Sequence, residues 1–297
     1  MTSNEWPPLH YCEWEATCDT VHMWAQIVGK TRMMLSPPEN HWWHVALYVT
    51  PLGLTTSPVP YAAGTFDVEF DFVTHNLRIR TSNGGQHAIP LYPRAVADFY
   101  AEYMACLHAL GIEVTIRTAP EEFDDTTPFD QDRHHASYDR EPVERFRRIL
   151  IGVDRALKKF KGGFIGKQSP VQLFWGSFDL AVTRFCGRAA PPRVGASHVM
   201  AEAYSHEEIS FGFWPGDRRY PHAAFYAYAS PSPAGFEKQA VRPAGACWDP
   251  AMGEFLLRYE DVRAAASPEE AIFDFCQSTY QSAATLAEWD HAALERR

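Results

Sequence analysis

The chain has 297 residues, 46% hydrophobic and 14% aromatic, which is enough apolar matter for a large core in one domain or two integrated halves and excludes disordered and collagen-like classes. Its formal charge of −10 repels a phosphate backbone and predicts no nucleic-acid partner. The opening residues MTSNEWPPLH hold an acid and prolines where an export signal has a basic patch and an apolar run, and no stretch approaches the roughly 20 apolar residues of a bilayer span. The expectation is a soluble, cytoplasmic protein with no membrane partner. Six cysteines at 12, 18, 106, 186, 247 and 276 lack any Cys-x-x-Cys spacing, so they read as reduced thiols and not as a zinc ribbon or disulfide framework.

In chain order, the pattern predicts a helix near 19–35, strands near 42–50, 66–73 and 76–82, and a helix near 93–110. The alternation of acid and aromatic in FDVEFDF supports the second strand, and Asn83-Gly84 marks a hairpin turn after the third. The segment PEEFDDTTPFDQDRHH, with two prolines and no periodicity, is an acidic connector over 119–141. Beyond it, apolar positions at helical spacing predict a helix over 142–160 whose many Arg and Lys side chains fill a solvated face. Strands follow near 171–185, 207–213, 223–229 and 254–259. A last helix near 267–288 opens with Ser267, Pro268 and Glu270, a capping-box pattern. Strands joined by turns and flanked by helices predict an α+β fold with largely antiparallel sheet.

Motifs recur in one order on the two sides of the connector: IVGK with FIGK, PENHWW with PVQLFW, LRIR with FLLRY, and AVADF with AIFDF. They predict an internal duplication, with residues 1–118 and 142–297 as pseudo-repeated halves packed as one body. Aligning Trp43 with Trp175 sets His44 opposite Gly176 and Asn40 opposite Gln172, so only one copy keeps an imidazole.

In ENHWWHVALYVTP, a strand over 42–50 would turn Trp43, Val45, Leu47 and Val49 to one face and Trp42, His44 and Tyr48 to the other. The first row reads as core. The second mixes aromatic surface with polar tips, as in a small-molecule pocket between the halves, although a half-buried helix interface has the same composition. His41 and His44 would diverge, which disfavours a metal held by that pair. His22, Gln26 and Lys30 form a stripe on the first helix; either they face the pocket or, the preferred reading, His22 and Gln26 are a satisfied buried pair with Lys30 at the rim. Asp179, in an apolar strand on the face of Trp175, needs a donor or a cation or else has a raised pKa and a role.

YSHEEISFGFWPGD is the segment richest in polar chemistry. His44, His206 and Glu207 are the candidate catalytic set, either as acid and base or as two-histidine, one-carboxylate ligands of a divalent iron, zinc or manganese. Trp42, Tyr48, His22, Gln26, Trp175, Asp179 and Trp214 would line the substrate site, with Lys167 or Arg184 holding an anion. No Gly-x-Ser-x-Gly elbow, phosphate loop or dinucleotide fingerprint is present. The long proline-rich segments GRAAPPRVGASHVMAEAY and SPSPAGFEKQAVRPAG read as lids or as surface wraps.

The motifs HMWAQIVGKTR, NHWWHVALYVT, ADFYAEYMA, FIGKQSPVQLFWGSFDLAVTRFCGR and EAYSHEEISFGFWPG resemble an uncharacterised bacterial family known as a domain of unknown function, DUF5996. The resemblance covers nearly the whole chain. It implies a single cytoplasmic unit and brings no activity, cofactor or catalytic residue. The expected function is that of an enzyme acting on a small organic, anionic molecule, or alternatively of a non-catalytic small-molecule-binding or scaffold protein.

Overall fold

Helix α1 (Tyr11–Leu35) is enclosed on every side, with each residue from Thr17 to Arg32 buried. An enclosed helix has no need of an apolar stripe, which is why its first turns escape the periodicity and it starts at Tyr11 and not near 19. The computed structural model describes residues 5–296. Trp24 anchors α1 by stacking 4.7 Å from Phe99 of helix α2 (Val96–Ala109).

The first sheet holds β1 (Tyr48–Val49), β2 (Gly53–Thr55), β3 (Val59–Tyr61), β4 (Gly64–Asp71), β5 (Asn76–Thr81) and β6 (Gln86–Pro90). Its order is β1-β2-β4-β5-β6, with β3 also on β4, and every pair is antiparallel. Side chains alternate across it as the pleat requires. Phe66, Val68, Phe70, Leu77 and Ile79 enter the core, while Asp67, Glu69 and Asp71 meet Arg78 and Arg80 on the other face.

Helix α3 (Arg140–Lys161) opens the second half; its bases pair with acids of its own turns and of helix α6 (Pro268–Leu286), as in Lys158 with Asp154 and Lys159 with Glu270. The second sheet holds β7 (Gln172–Phe174), β8 (Asp179–Ala189), β9 (His206–Trp214), β10 (Ala224–Ser230), β11 (Cys247–Asp249) and β12 (Glu254–Arg258). It is antiparallel in the order β11-β12-β10-β9-β8-β7. Leu180, Val182, Phe211, Phe213, Phe225 and Leu257 line the face covered by α3 and α6. The opposite face carries Asp179, Thr183, Phe185, His206, Glu208, Ser210, Tyr226, Tyr228, Ser230 and Glu254. Short helices α4 (His198–Ala203), α5 (Tyr259–Ala264) and α7 (His291–Leu294) complete the chain.

The sheets meet edge to edge where Leu47 and Leu173 exchange both backbone hydrogen bonds, at 2.9 and 2.7 Å, and one core cluster runs from Trp6 to Trp289. The fold is therefore α+β with antiparallel sheets, as expected. Ser267 caps α6 by accepting from the Glu270 amide. Two expected strands differ. Residues 171–185 are a hairpin, β7 and β8, with a tight turn at 175–178 in which Phe178 is left-handed at φ 61°. Residues 42–50 contain a 3₁₀ turn, Asn40–Val45, and strand only at Tyr48–Val49.

The repeated motifs fall unevenly. LRIR and FLLRY lie on β5 and β12, and AVADF and AIFDF at the starts of α2 and α6, but IVGK is inside α1 whereas FIGK follows the end of α3. PENHWW is a 3₁₀ turn and PVQLFW a strand. Among the described residues no helix is long and apolar enough to cross a membrane.

A candidate site on the polar face of the second sheet

Two consecutive non-glycine residues, His41 and Trp42, adopt left-handed backbone at φ 57° and 62°. Each such residue costs on the order of 1–2 kcal/mol, so the surrounding contacts must hold the turn. The Glu39 amide donates to His44 Nδ1 at 3.1 Å, and Trp175 Nε1 donates to the Val45 carbonyl at 2.8 Å. The turn aims the two histidines apart.

His44 is buried beside Trp42, with ring centres 5.1 Å apart, and burial lowers its pKa. His41 is buried against Phe185 at 4.3 Å and lies 5.5 Å from His206, nearly perpendicular to it. The imidazole that meets His206 is thus that of His41. Its Nδ1–H donates to the Ala203 carbonyl at 2.9 Å. That fixes the tautomer and leaves the Nε2 lone pair to accept from Lys167 Nζ at 2.7 Å. Burial lowers the His41 pKa; the Ala203 bond opposes this, and Lys167 and His206 add to it.

Lys167 rests over the rings of Phe185 and Trp43, at 5.0 and 5.6 Å. Its pKa is lowered by burial, with Glu208 opposing. Glu208 follows His206 by two residues on β9 and so shares its face. Its side chain is buried, 6% exposed, yet accepts no hydrogen bond among the described residues. Burial pushes its carboxyl up to about 8 against the pull of Arg193 and Lys167. The Arg193 guanidinium lies 3.7 Å from the Tyr204 ring centre and donates to Ser230 Oγ at 2.9 Å. Neither cation has a carboxylate ion-pair partner among the described residues.

A line of tyrosines continues from there. Tyr204 and Tyr228 share a hydroxyl hydrogen bond at 3.0 Å, and Tyr228 stacks on Tyr226 at 6.0 Å. Tyr226 reaches across β9 to donate to Asp179 Oδ2, a path open because position 212 is glycine: a Cβ there would sit 2.4 Å from the Tyr226 hydroxyl oxygen. Ser177 donates to Asp179 Oδ1 at 2.6 Å. Burial raises the Asp179 pKa, and the Ser177 and Tyr226 bonds oppose it. Among the described residues Asp179 has donors and no cation partner.

The other candidates take structural places. His22 Nε2–H donates to the Trp175 carbonyl at 2.8 Å, and burial drives its pKa down to about 4. Gln26 pairs with both backbone groups of Glu121, each at 2.8 Å. With both donors so directed, the 3.1 Å approach of Gln26 Nε2 to His22 Nε2 is a contact between two N–H groups and not a bond. Lys30 is fully buried, not at a rim, and donates to the Ala119 carbonyl and Glu121 Oε1, each at 2.7 Å. The stripe fastens the connector to α1.

Arg184 lies on the opposite sheet face, its guanidinium 3.5 Å from the Phe160 ring centre and donating to the Phe160 carbonyl at 2.6 Å; burial lowers its pKa to about 10. Tyr48 sits under Arg32 at 5.4 Å, Trp42 meets His198 at 6.0 Å, and Trp214 packs on Tyr220 at 5.3 Å. Glu207 points away from His206, across the sheet, and is held by Arg188 at 2.6 Å. Among the described residues no group of three or more His, Cys, Asp or Glu side chains could hold a metal ion. Two cavities of about 200 and 330 Å³ lie around the N-terminal end of α1 and are lined by none of this face.

Sequence reasoning missed Glu208, Arg193, His41 and the three tyrosines. The signal for Glu208 was present: strand parity pairs His206 with the residue two positions on and not with its neighbour. Arg193 had none, since it enters from an irregular segment.

Fold and side chains together define an α+β protein with a polar, aromatic-rich sheet face. The chain belongs to a family of unknown function, DUF5996, whose sequence profile matches residues 6–296. No curated protein and no solved structure matches it.

Proposed function

We propose that this protein is a cytoplasmic enzyme that acts on a small organic anion at the polar face of the second sheet, beside the His41 turn. One observation carries the reading: among the described residues Glu208 is buried, accepts no hydrogen bond, and feels the charges of Lys167 and Arg193, neither of which has a carboxylate ion-pair partner. A structural carboxylate would be paired. At pH 7 the carboxyl of Glu208 holds its proton and serves as a general acid. Lys167 and Arg193 hold the anionic group, His206 and His41 complete the proton path, and Tyr204, Tyr228 and Trp43 supply aromatic walls. The six free cysteines support the cytoplasmic assignment.

The test is to incubate the untagged protein with a small-molecule cell extract and follow organic acids by mass spectrometry, against Glu208→Gln. Consumption of an organic acid by the parent and not by the variant is expected. Unchanged acids in both, with no ligand raising the Tm of either, would leave a scaffold protein.

A further inference from the structure

We propose that Lys167 is a nucleophilic amine that forms an imine with a small carbonyl compound bearing an acid group, such as a 2-oxo acid. The inference rests on the proposed site and names its substrate class. Lys167 is the only amine on this face among the described residues, and its one hydrogen bond is to a neutral imidazole nitrogen. The His41 tautomer is fixed by the Ala203 carbonyl, so Nε2 has a lone pair to take a proton from the Lys167 ammonium. Amines become nucleophilic when a neighbouring group removes that proton or disfavours the charged form. Here a base stands 2.7 Å away, and the rings of Phe185 and Trp43 cover one side of the amine. The left-handed backbone at His41 gives the arrangement a stored strain of the kind that collects at reacting groups.

Lys167 is also exposed enough to be reached from solvent, whereas the anchor Lys30 is fully buried and tied to Glu121. Lys167 gives one proton to His41 Nε2, and its Nζ lone pair forms a bond to the carbonyl carbon. The carbonyl oxygen takes a proton from Glu208. Nζ then passes one proton to the Glu208 carboxylate, the proton held on His41 goes to the hydroxyl, and water leaves as the protonated C=N bond forms. The net change is loss of one water from amine plus carbonyl. Arg193, whose charge acts on Glu208 as that of Lys167 does, holds the acid group of the substrate.

The experiment treats the full-length protein with pyruvate or glyoxylate and sodium cyanoborohydride at neutral pH, then maps the adduct by peptide mass spectrometry. One adduct per chain is expected, at Lys167, absent in Lys167→Arg and slower in His41→Gln. Its rate should exceed that of Lys158 and Lys238, which sit beside the carboxylates of Asp154 and Glu237 and not beside a neutral base. Adducts spread over the exposed lysines, or persisting in Lys167→Arg, overturn the proposal. Thermal shifts with pyruvate and no reductant separate the two readings. Stabilisation of parent and Lys167→Arg alike, without an adduct in the parent, overturns the imine and keeps the anion site. No stabilisation and no adduct overturns both.

Discussion

Gly29 of α1 lies directly beneath the indole of Trp175: a Cβ at position 29 would stand 2.1 Å from Trp175 Cδ1. The contact joins the first helix to the β7–β8 turn, and the same indole donates to the Val45 carbonyl that supports the His41 turn. Gly29→Ala should gain about 1 kcal/mol of helix propensity and lose more than that to overlap, typically about 1–3 kcal/mol and higher against a rigid ring. A net loss of roughly 2 kcal/mol in urea denaturation is expected. A neutral or stabilising result would mean that Trp175 swings away freely.

Gln26 replaces a strand partner for Glu121 by accepting from its amide and donating to its carbonyl. Gln26→Leu keeps the helix and strands both backbone groups, at a cost of about 2–4 kcal/mol. Limited proteolysis should then cut the connector between 119 and 135 faster than in the parent, and equal cutting rates would show that the connector is held elsewhere.

The pKa of His22 falls to about 4 on folding. The unfolded chain, titrating near 6.5, binds the proton first as pH drops, so this group makes stability decline from about pH 6.5 toward pH 4, by roughly 3 kcal/mol in all. Glu208 works in the opposite sense. Its carboxyl is raised to about 8 from an ordinary value near 4.5. The stability it gives is complete below about pH 4.5 and is lost as pH rises toward 8, a span of roughly 5 kcal/mol. The two slopes oppose each other between about pH 4.5 and 6.5, so each is read from its own variant. The parent minus His22→Asn difference should change with pH only below about 6.5.

Glu208→Gln should therefore be more stable than the parent at pH 8, by several kcal/mol, with the gain vanishing near pH 4.5. Denaturation series at both pH values measure it. A destabilised variant at pH 8 would mean that the carboxylate is paired, and the acid role would fall with it.

Arg184 has aromatic neighbours and a helix-end carbonyl, with no carboxylate ion pair among the described residues. Arg184→Ala should cost about 3–5 kcal/mol by leaving a large cavity and removing the guanidinium's bond to the Phe160 carbonyl. Arg184→Met, which refills the space without a buried charge, should cost much less. Ligand binding at Glu208 is expected to survive Arg184→Met, since the side chains sit on opposite faces of the sheet.

The elements readable in the sequence are those whose environment is one-sided. Helix α3 packs one face and wets the other, and its predicted span of 142–160 falls within the observed Arg140–Lys161. Strands β4 and β5 alternate cleanly for the same reason. Helix α1 is buried on all sides and shows only part of its length. Residues 42–50 carry β-favouring side chains throughout, and what breaks the strand is a left-handed pair at His41 and Trp42 that no local preference demands. Contacts from Trp175, Ala203 and Lys167, far away in the chain, hold it.

By itself the sequence determined the α+β class, the antiparallel sheets, the capped last helix and the concentration of polar chemistry around His206, because periodicity, turn residues and caps act over a few neighbouring positions. Tertiary structure alone decided that His41 and not His44 meets His206, that Glu208 and not Glu207 is left unpaired, and that the His22 stripe is a fastening. Those outcomes depend on which distant backbone carbonyls and cations arrive beside each side chain, and hydrogen bonds and charge pairs act only at distances that folding creates.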